Sequence, residues 1–485
     1  MQLSVAPRSS TVDAPAFATR AVLAIAGVVA VVQLVCGAIG GYWFDEAYML
    51  AIGRRHLAWG SADQPPVAPA LAAAMDWLAP GSLVALRIPA VLATAAAVIV
   101  AALIAREFGG DRRAQLLTAV AQATALWFTM DGHWLTPYTL EPVQWLLLIW
   151  LLVRWIRLRE DRLLLAAGVV AGIAAETKFQ VILLCAVLLA SVAVCGPREL
   201  LRRPMLWAGA AVGALLALPT LVWQARNGWP QLHMSSVLST EADELYGGRP
   251  GIAVSLILMA GVAGTVLALY GIWGLLQDAR LRPYRFLAVT AVVLYLVFVA
   301  TAGRPYYLGG FYGALFAAGA VGFQRRRLVG GRRGWVVWPA CALSIAGAAS
   351  MLALAATSAK TDAPQRIVRL TTAAYQSLPE QDRRSAIIMG QSYIVAAYLD
   401  VYSHDLPAAY STSRGYGYFP PPPDSARAVL YIGTSPDELR GHFGSCRRLL
   451  GDRTDPGTDQ RAWLCTDRRE PWERFWPSLR HLDMT

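Results

Sequence analysis

Two acidic motifs, Asp45-Glu46 and Asp63-Gln64-Pro65-Pro66, fall between the first and second hydrophobic runs of the chain. A carboxylate beside a bilayer is costly unless it faces water, a cation or a reacting group, so the pair points to chemistry at a membrane interface. Such a carboxylate can take the proton of an attacking hydroxyl. Asp45 is the first choice for that base, with a helix N-cap as its structural alternative. Glu46 more naturally supports the segment that follows, with a direct role as the alternative. Asp63 is either a second functional carboxylate or a turn residue ahead of two prolines. Farther along, Glu141 in Thr139-Leu140-Glu141-Pro142 lies near the end of an apolar run, where an ionisable group is a functional candidate by default. Its alternative is an internal pair with a basic residue. His133, in the turn before it, is a candidate for positioning an acceptor or a metal, set against a wet interfacial histidine.

These groups need a membrane scaffold, and the composition supplies one. Of the 485 residues 56% are hydrophobic and only 15% charged, against about a quarter charged in soluble chains; mean hydropathy is +0.43. Apolar runs near the 17 to 25 residues that span a bilayer occur at about 18–40, 88–105, 114–130, 136–153, 163–177, 179–196, 205–222, 251–276, 286–302, 306–322 and 335–357. The expectation is roughly eleven spans. Alternate loops are arginine-rich, as at Arg106, Arg112 and Arg113, at Arg198, Arg202 and Arg203, and from Arg325 to Arg333, whereas the intervening loops carry far fewer cations. The positive-inside rule then puts residues 1–20 in the cytoplasm as a polar tail, and the loop at 41–87 and everything after 357 outside. Residues 21–40 are too long for a signal-peptide core and read as a retained anchor. The net charge of +11 is a topology signal, which argues against a nucleic-acid partner.

Residues 358–485 change periodicity. Short strands at Ser385-Met389 and Ala428-Ile432 alternate with helix-like stretches at Ser392-Val401 and Pro436-Phe443, which predicts a small exported α/β domain. The aromatic run Tyr416-Gly417-Tyr418-Phe419 before Pro420 to Pro423 is either a rigid crossover or an aromatic wall for an acceptor. Cys36, Cys185, Cys195 and Cys341 fall in or beside spans and read as packing. Cys446 and Cys465 lie in the exported part, with strand-like flanks that suit a disulfide between neighbouring strands; two free thiols are the alternative. No cysteine and histidine spacing suggests zinc.

The run from Gly41 to Tyr48, then His56-Leu57-Ala58-Trp59-Gly60 and Asp63-Gln64-Pro65-Pro66-Val67-Ala68-Pro69, resembles the first exported loop of bacterial family 39 glycosyltransferases. These belong with the protein O-mannosyltransferases and the lipid A aminoarabinose transferase, on the polytopic helical fold called GT-C. Leu86-Arg87-Ile88-Pro89, Thr177-Lys178-Phe179, the run from Trp223 to Pro230, the run from Pro305 to Gly313, and the stretch from Gln391 to Pro423 follow in the family's order.

The resemblance implies an enzyme that moves a sugar from a polyprenyl-phosphate donor to an acceptor hydroxyl of a glycan, lipid or protein, on the outer face of the cytoplasmic membrane. It places Asp45 at the family's first acidic position. It gives Asp63 a part in binding a divalent cation or orienting the acceptor, although Gln64 stands where the aminoarabinose transferase has a lysine, so no phosphate contact is expected there. Lys178 aligns with a lysine that faces the donor phosphate; its alternatives are a salt bridge to Glu176 or snorkelling to the headgroups. Arg304, whose planar fork suits phosphate, Tyr307 and Arg249 are further donor-phosphate candidates. Oxygen ligands from Asp45 and Asp63 would favour Mg²⁺, Mn²⁺ or Ca²⁺. The long loop from Trp223 to Pro250 reads as a mobile polar segment. The competing classes are a transporter or lipid flippase and a non-catalytic assembly protein. Against transport, the sequence has no paired halves and its polar residues cluster at one face instead of mid-membrane.

Overall fold

The computed structural model describes residues 14–330, 337–358, 360–450 and 459–484. Most of the expected cytoplasmic tail, together with Arg332 and Arg333 of the last arginine-rich loop, lies outside the described residues. Helices dominate up to Ser358, and a five-stranded sheet follows.

Six segments are long and apolar enough to cross a membrane: Thr19–Gly37, Leu83–Glu107, Pro137–Leu158, Pro204–Arg226, Ala279–Ala300 and one within Trp338–Ser377. A seventh arises if Gly248–Leu258 and Gly261–Gln277, bent by 92° at their junction, count as one span. The chain is therefore a multi-pass protein with six to seven candidate spans among the described residues, fewer than the eleven apolar runs suggest. The reason is geometric. The helix Arg162–Ala175 has 14 residues and rises about 21 Å, short of a hydrocarbon core of about 30 Å. The run at 114–130 divides into Arg112–Ala123 and Leu126–Asp131. The run at 251–276 breaks where Gly261 takes φ +74°, a conformation that glycine adopts without strain.

Small residues set the closest packing. A Cβ on Gly168 would come within 2.0 Å of the Gly209 carbonyl oxygen, so Arg162–Ala175 and Pro204–Arg226 touch backbone to backbone, as small residues permit in membrane bundles. The loop between the first two spans folds into the helix Phe44–Arg55. Its start is fixed by Trp43 in extended geometry and by Glu46, whose side chain accepts the Trp43 N–H at 3.0 Å. Asp45 and Glu46 occupy its first turn and Arg54 and Arg55 its last, both matched to the helix dipole.

The C-terminal sheet comprises β1 (Ala386–Gly390), β2 (Ala409–Tyr410), β3 (Ala428–Gly433), β4 (Phe443–Leu450) and β5 (Arg461–Arg468), in the order β2-β1-β3-β5-β4. β1 runs parallel to β2 and β3, whereas β5 is antiparallel to β3 and β4. The expected helix at Pro436-Phe443 is only a short 3₁₀ turn, Asp437–Leu439, before β4 begins. Cys446 and Cys465 face one another across β4 and β5, Cα atoms 4.1 Å apart, with their sulfurs in bonding contact. One apolar cluster joins Tyr48, Met49 and Leu50 of the loop helix to Ile388, Tyr393 and Leu399 of this domain. The sheet domain is thereby seated on the acidic loop.

Candidate active site

A cavity of about 820 Å³ opens where the acidic loop, the ends of the helices and the C-terminal domain meet. Asp45, Asp63, Lys178, Arg304 and Tyr307 all line it, so five of the residues singled out from sequence converge on one space. Asp45, in the first turn of Phe44–Arg55, accepts hydrogen bonds from the Tyr138 hydroxyl at 3.1 Å and the Tyr393 hydroxyl at 3.4 Å. Tyr138 in turn accepts the indole N–H of Trp43 at 3.0 Å, and Trp43 stacks on Trp134 with centroids 4.2 Å apart. Burial pushes the Asp45 carboxyl up to about 6, with the Arg414 guanidinium and the two tyrosines opposing it and the Asp63 charge adding to it. A carboxylate tuned there sits near the pH at which a general base works best.

Asp63 is held by the Tyr48 hydroxyl at 2.9 Å and the Gln64 amide at 3.2 Å. Burial raises its carboxyl too, and Arg414 opposes the rise. Gln64 thus serves Asp63 instead of a phosphate. Among the described residues no three His, Cys, Asp or Glu side chains form a group that could hold a metal.

Lys178 leaves the turn between Arg162–Ala175 and Gln180–Cys195. Its ammonium lies 3.6 Å from Glu141 and 4.8 and 4.6 Å from the ring centroids of Tyr306 and Tyr307. Its partner is Glu141, not Glu176, which instead accepts the Thr220 hydroxyl at 2.5 Å. Burial pulls the ammonium below its ordinary range and Glu141 pulls it back. Nζ has no hydrogen-bond partner, and neither does Glu141 Oε1. Glu141 is buried behind the lysine, the internal-pair alternative of the sequence reading.

Three candidates lie elsewhere. Glu46 is wholly buried. Its two oxygens take Arg87 Nε at 2.9 Å and Nη2 at 2.5 Å, with the Leu135 and Trp43 N–H groups as well. A carboxylate so fully engaged supports the loop and is not free for proton transfer. His133 is buried against Gln33, with Nδ1 2.8 Å from its Oε1, and stays off the cavity wall. Arg249 is exposed beyond the Gly247-Gly248 turn and does not line the cavity. The loop that carries it is not a featureless polar segment: Pro230–Tyr246 is a helix that buries Met234, Glu241 and Ala242.

Arg414 is the site residue that sequence reasoning missed. It comes from the C-terminal domain with φ +47°, a costly backbone for a non-glycine residue. The Tyr48 hydroxyl accepts the N–H of Gly415 at 2.9 Å, and the Arg414 N–H reaches the His481 carbonyl at 2.8 Å. The guanidinium lies 4.9 Å from the Tyr393 ring centroid, on the cavity wall. The aromatic run after it does not line the cavity: Tyr416 donates to Asp400 at 2.8 Å and Phe419 stacks on His56 at 4.0 Å, both at the junction with the acidic loop.

A family model described as dolichyl-phosphate-mannose-protein mannosyltransferase matches residues 63–223. Among solved structures the chain is similar to ArnT from Cupriavidus metallidurans bound to undecaprenyl phosphate: TM-score 0.66, 15% identity, 92% of this chain and 98% of that one. It is also similar to the oligosaccharyltransferase of Archaeoglobus fulgidus in complex with zinc and sulfate, with TM-score 0.52, 14% identity and coverage of 84% and 67%. For arabinofuranosyltransferase AftD from mycobacteria the values are 0.54 and 13%, with 94% of this chain covering 40% of that one. At these identities the likeness is one of fold. No curated protein matches in sequence.

Proposed function

We propose that this chain, whose residues 63–223 match the dolichyl-phosphate-mannose-protein mannosyltransferase family model, is a membrane glycosyltransferase of GT-C type that moves a sugar from a polyprenyl-phosphate donor to an acceptor hydroxyl at the outer face of the cytoplasmic membrane. The alternation of arginine-rich loops supports that sidedness, with the C-terminal domain exported. The acceptor is a hydroxyl of a cell-envelope glycan, lipid or protein.

The observation that carries the reading is one cavity in which a carboxylate with a raised pKa faces cations. Asp45 takes the acceptor proton as the oxygen attacks the anomeric carbon. The bond from that carbon to the phosphate oxygen breaks on the opposite side, which inverts the configuration. The electron pair leaves with polyprenyl phosphate, whose growing charge meets Lys178 and Arg304. Tyr306 and Tyr307 keep the lysine over their ring faces. Apolar residues such as Leu183, Met234, Leu238 and Val297 line the same cavity and suit a polyprenyl chain. Asp45 and Asp63 would hold a divalent cation, which when bound would add positive charge at the phosphate.

The test is purified full-length protein with a panel of radiolabelled polyprenyl-phosphate sugars and a membrane extract as acceptor, following release of polyprenyl phosphate. Release from one donor, abolished in Asp45→Asn, is the expected result and names the sugar. No turnover of any donor would move the chain to the transporter or scaffold class.

A further inference from the structure

Arg304 and Arg414 reach the cavity from regions 110 positions apart in sequence, and one buried carboxylate, Glu241 of the helix Pro230–Tyr246, joins them. Glu241 Oε1 accepts from Arg414 Nη2 at 2.8 Å and its Oε2 from Arg304 Nη2. All three residues are more than nine-tenths buried. Arg304 Nη1 and Arg414 Nε are buried with no hydrogen-bond partner. Native proteins seldom leave such donors unpaired, and here both belong to side chains on the cavity wall, whereas Glu241 is not among the residues that line it. Two arginines and one glutamate give the cluster a charge of +1.

That charge can be compared with the two lipid phosphates of the reaction. A polyprenyl-phosphate sugar is a phosphodiester carrying one negative charge. The polyprenyl phosphate released from it is a monoester, with about −1.5 to −2 at neutral pH. With Lys178 balanced by Glu141 at 3.6 Å, a clamp of +1 matches the donor. A clamp of +2, as the two arginines would form alone, would hold the product more tightly than the donor.

We propose that Arg304, Glu241 and Arg414 form a phosphate clamp shared between the helical domain and the C-terminal domain, in which Arg414 contacts the donor phosphate and Glu241 positions both guanidiniums and limits their charge so that the product monoester is released. This rests on the polyprenyl-phosphate reading above and extends it: the C-terminal domain supplies part of the donor site.

The experiment measures binding of undecaprenyl phosphate and of the uncharged undecaprenol to full-length protein in nanodiscs, for wild type, Arg414→Ala and Glu241→Gln. The wild type prefers the phosphate. Arg414→Ala weakens phosphate binding roughly tenfold or more, the loss of a charge-assisted hydrogen bond, and leaves undecaprenol binding unchanged, a difference that a merely structural defect would not produce. Glu241→Gln, nearly isosteric, tightens phosphate binding severalfold, again without effect on undecaprenol, and decides the matter if Arg414→Ala does not fold. A wild type that binds the two lipids equally would overturn the donor reading itself. A wild type that prefers phosphate, with both variants keeping its preference, would overturn the clamp alone. Weaker phosphate binding in Glu241→Gln would overturn the charge-limiting role.

Discussion

Two buried arginine–glutamate clusters, one within the acidic loop and one joining the helical and C-terminal domains beside the cavity, differ in completeness. In the first, Glu46 and Arg87 satisfy one another: the guanidinium gives two bonds to the carboxylate and others to the carbonyls of Gly37 at 2.7 Å and Gly41 at 3.0 Å. In the second, Arg304 Nη1 and Arg414 Nε are buried without hydrogen-bond partners, in two side chains that line the cavity. Both consist of costly buried charge. The saturated cluster fixes the loop that carries Asp45, whereas the unsaturated one is the proposed phosphate clamp.

The contrast can be broken in order of effect. Asp45→Asn removes the base and should lower transfer by about 10²- to 10⁴-fold while donor binding persists, as initial rates and equilibrium binding would report. Arg87→Met leaves Glu46 buried and unpaired, so thermal unfolding should reveal a loss of about 3 to 5 kcal/mol; activity falls only with the folded fraction. Lys178→Gln should behave in the opposite way, with an unfolding midpoint near that of wild type and a donor KM raised about tenfold or more.

The pH response gives a smaller but sharper test. Asp45 has a folded pKa near 6 against 3.8 for the free side chain. Between those values the folded chain keeps a proton that the unfolded chain has released, so stability falls as pH rises through about 4 to 6. Asp45→Asn should therefore be more stable than wild type at neutral pH though inactive, and wild-type kcat/KM should climb to a plateau above pH 6. The smallest effect concerns Asp45 and Asp63 as cation ligands: a chelator should slow turnover and Mg²⁺ or Mn²⁺ restore it, and a rate indifferent to chelation would leave the phosphate charge to Lys178 and the arginines.

Much of this was legible in the sequence. Asp45, Asp63, Lys178, Arg304 and Tyr307 stand out because polar residues beside apolar runs are conspicuous, and the order of the motifs tied them together. The span count was not legible, because hydropathy shows that a run is apolar but not where its helix ends or breaks; the 14-residue Arg162–Ala175 and the break at Gly261 are examples. Arg414 was invisible for a different reason. It lies in a soluble-looking stretch, Ser411-Thr412-Ser413-Arg414-Gly415, and its role depends on a left-handed backbone and on a tyrosine more than 360 positions earlier. Glu241 was read as part of a mobile loop because its two partners come from distant segments. Arg249 drew attention by its place in that loop, yet the Gly247-Gly248 turn leaves it exposed and off the cavity wall.

The most direct measurement is an experimental structure of the full-length protein with undecaprenyl phosphate bound. The phosphate should lie within hydrogen-bond reach of Lys178 and of the unpartnered nitrogens of Arg304 and Arg414, on the same cavity wall as Asp45, with the Glu46–Arg87 pair unchanged. A phosphate seated away from these three cations, or one that breaks the Glu46–Arg87 pair to bind, would contradict the account.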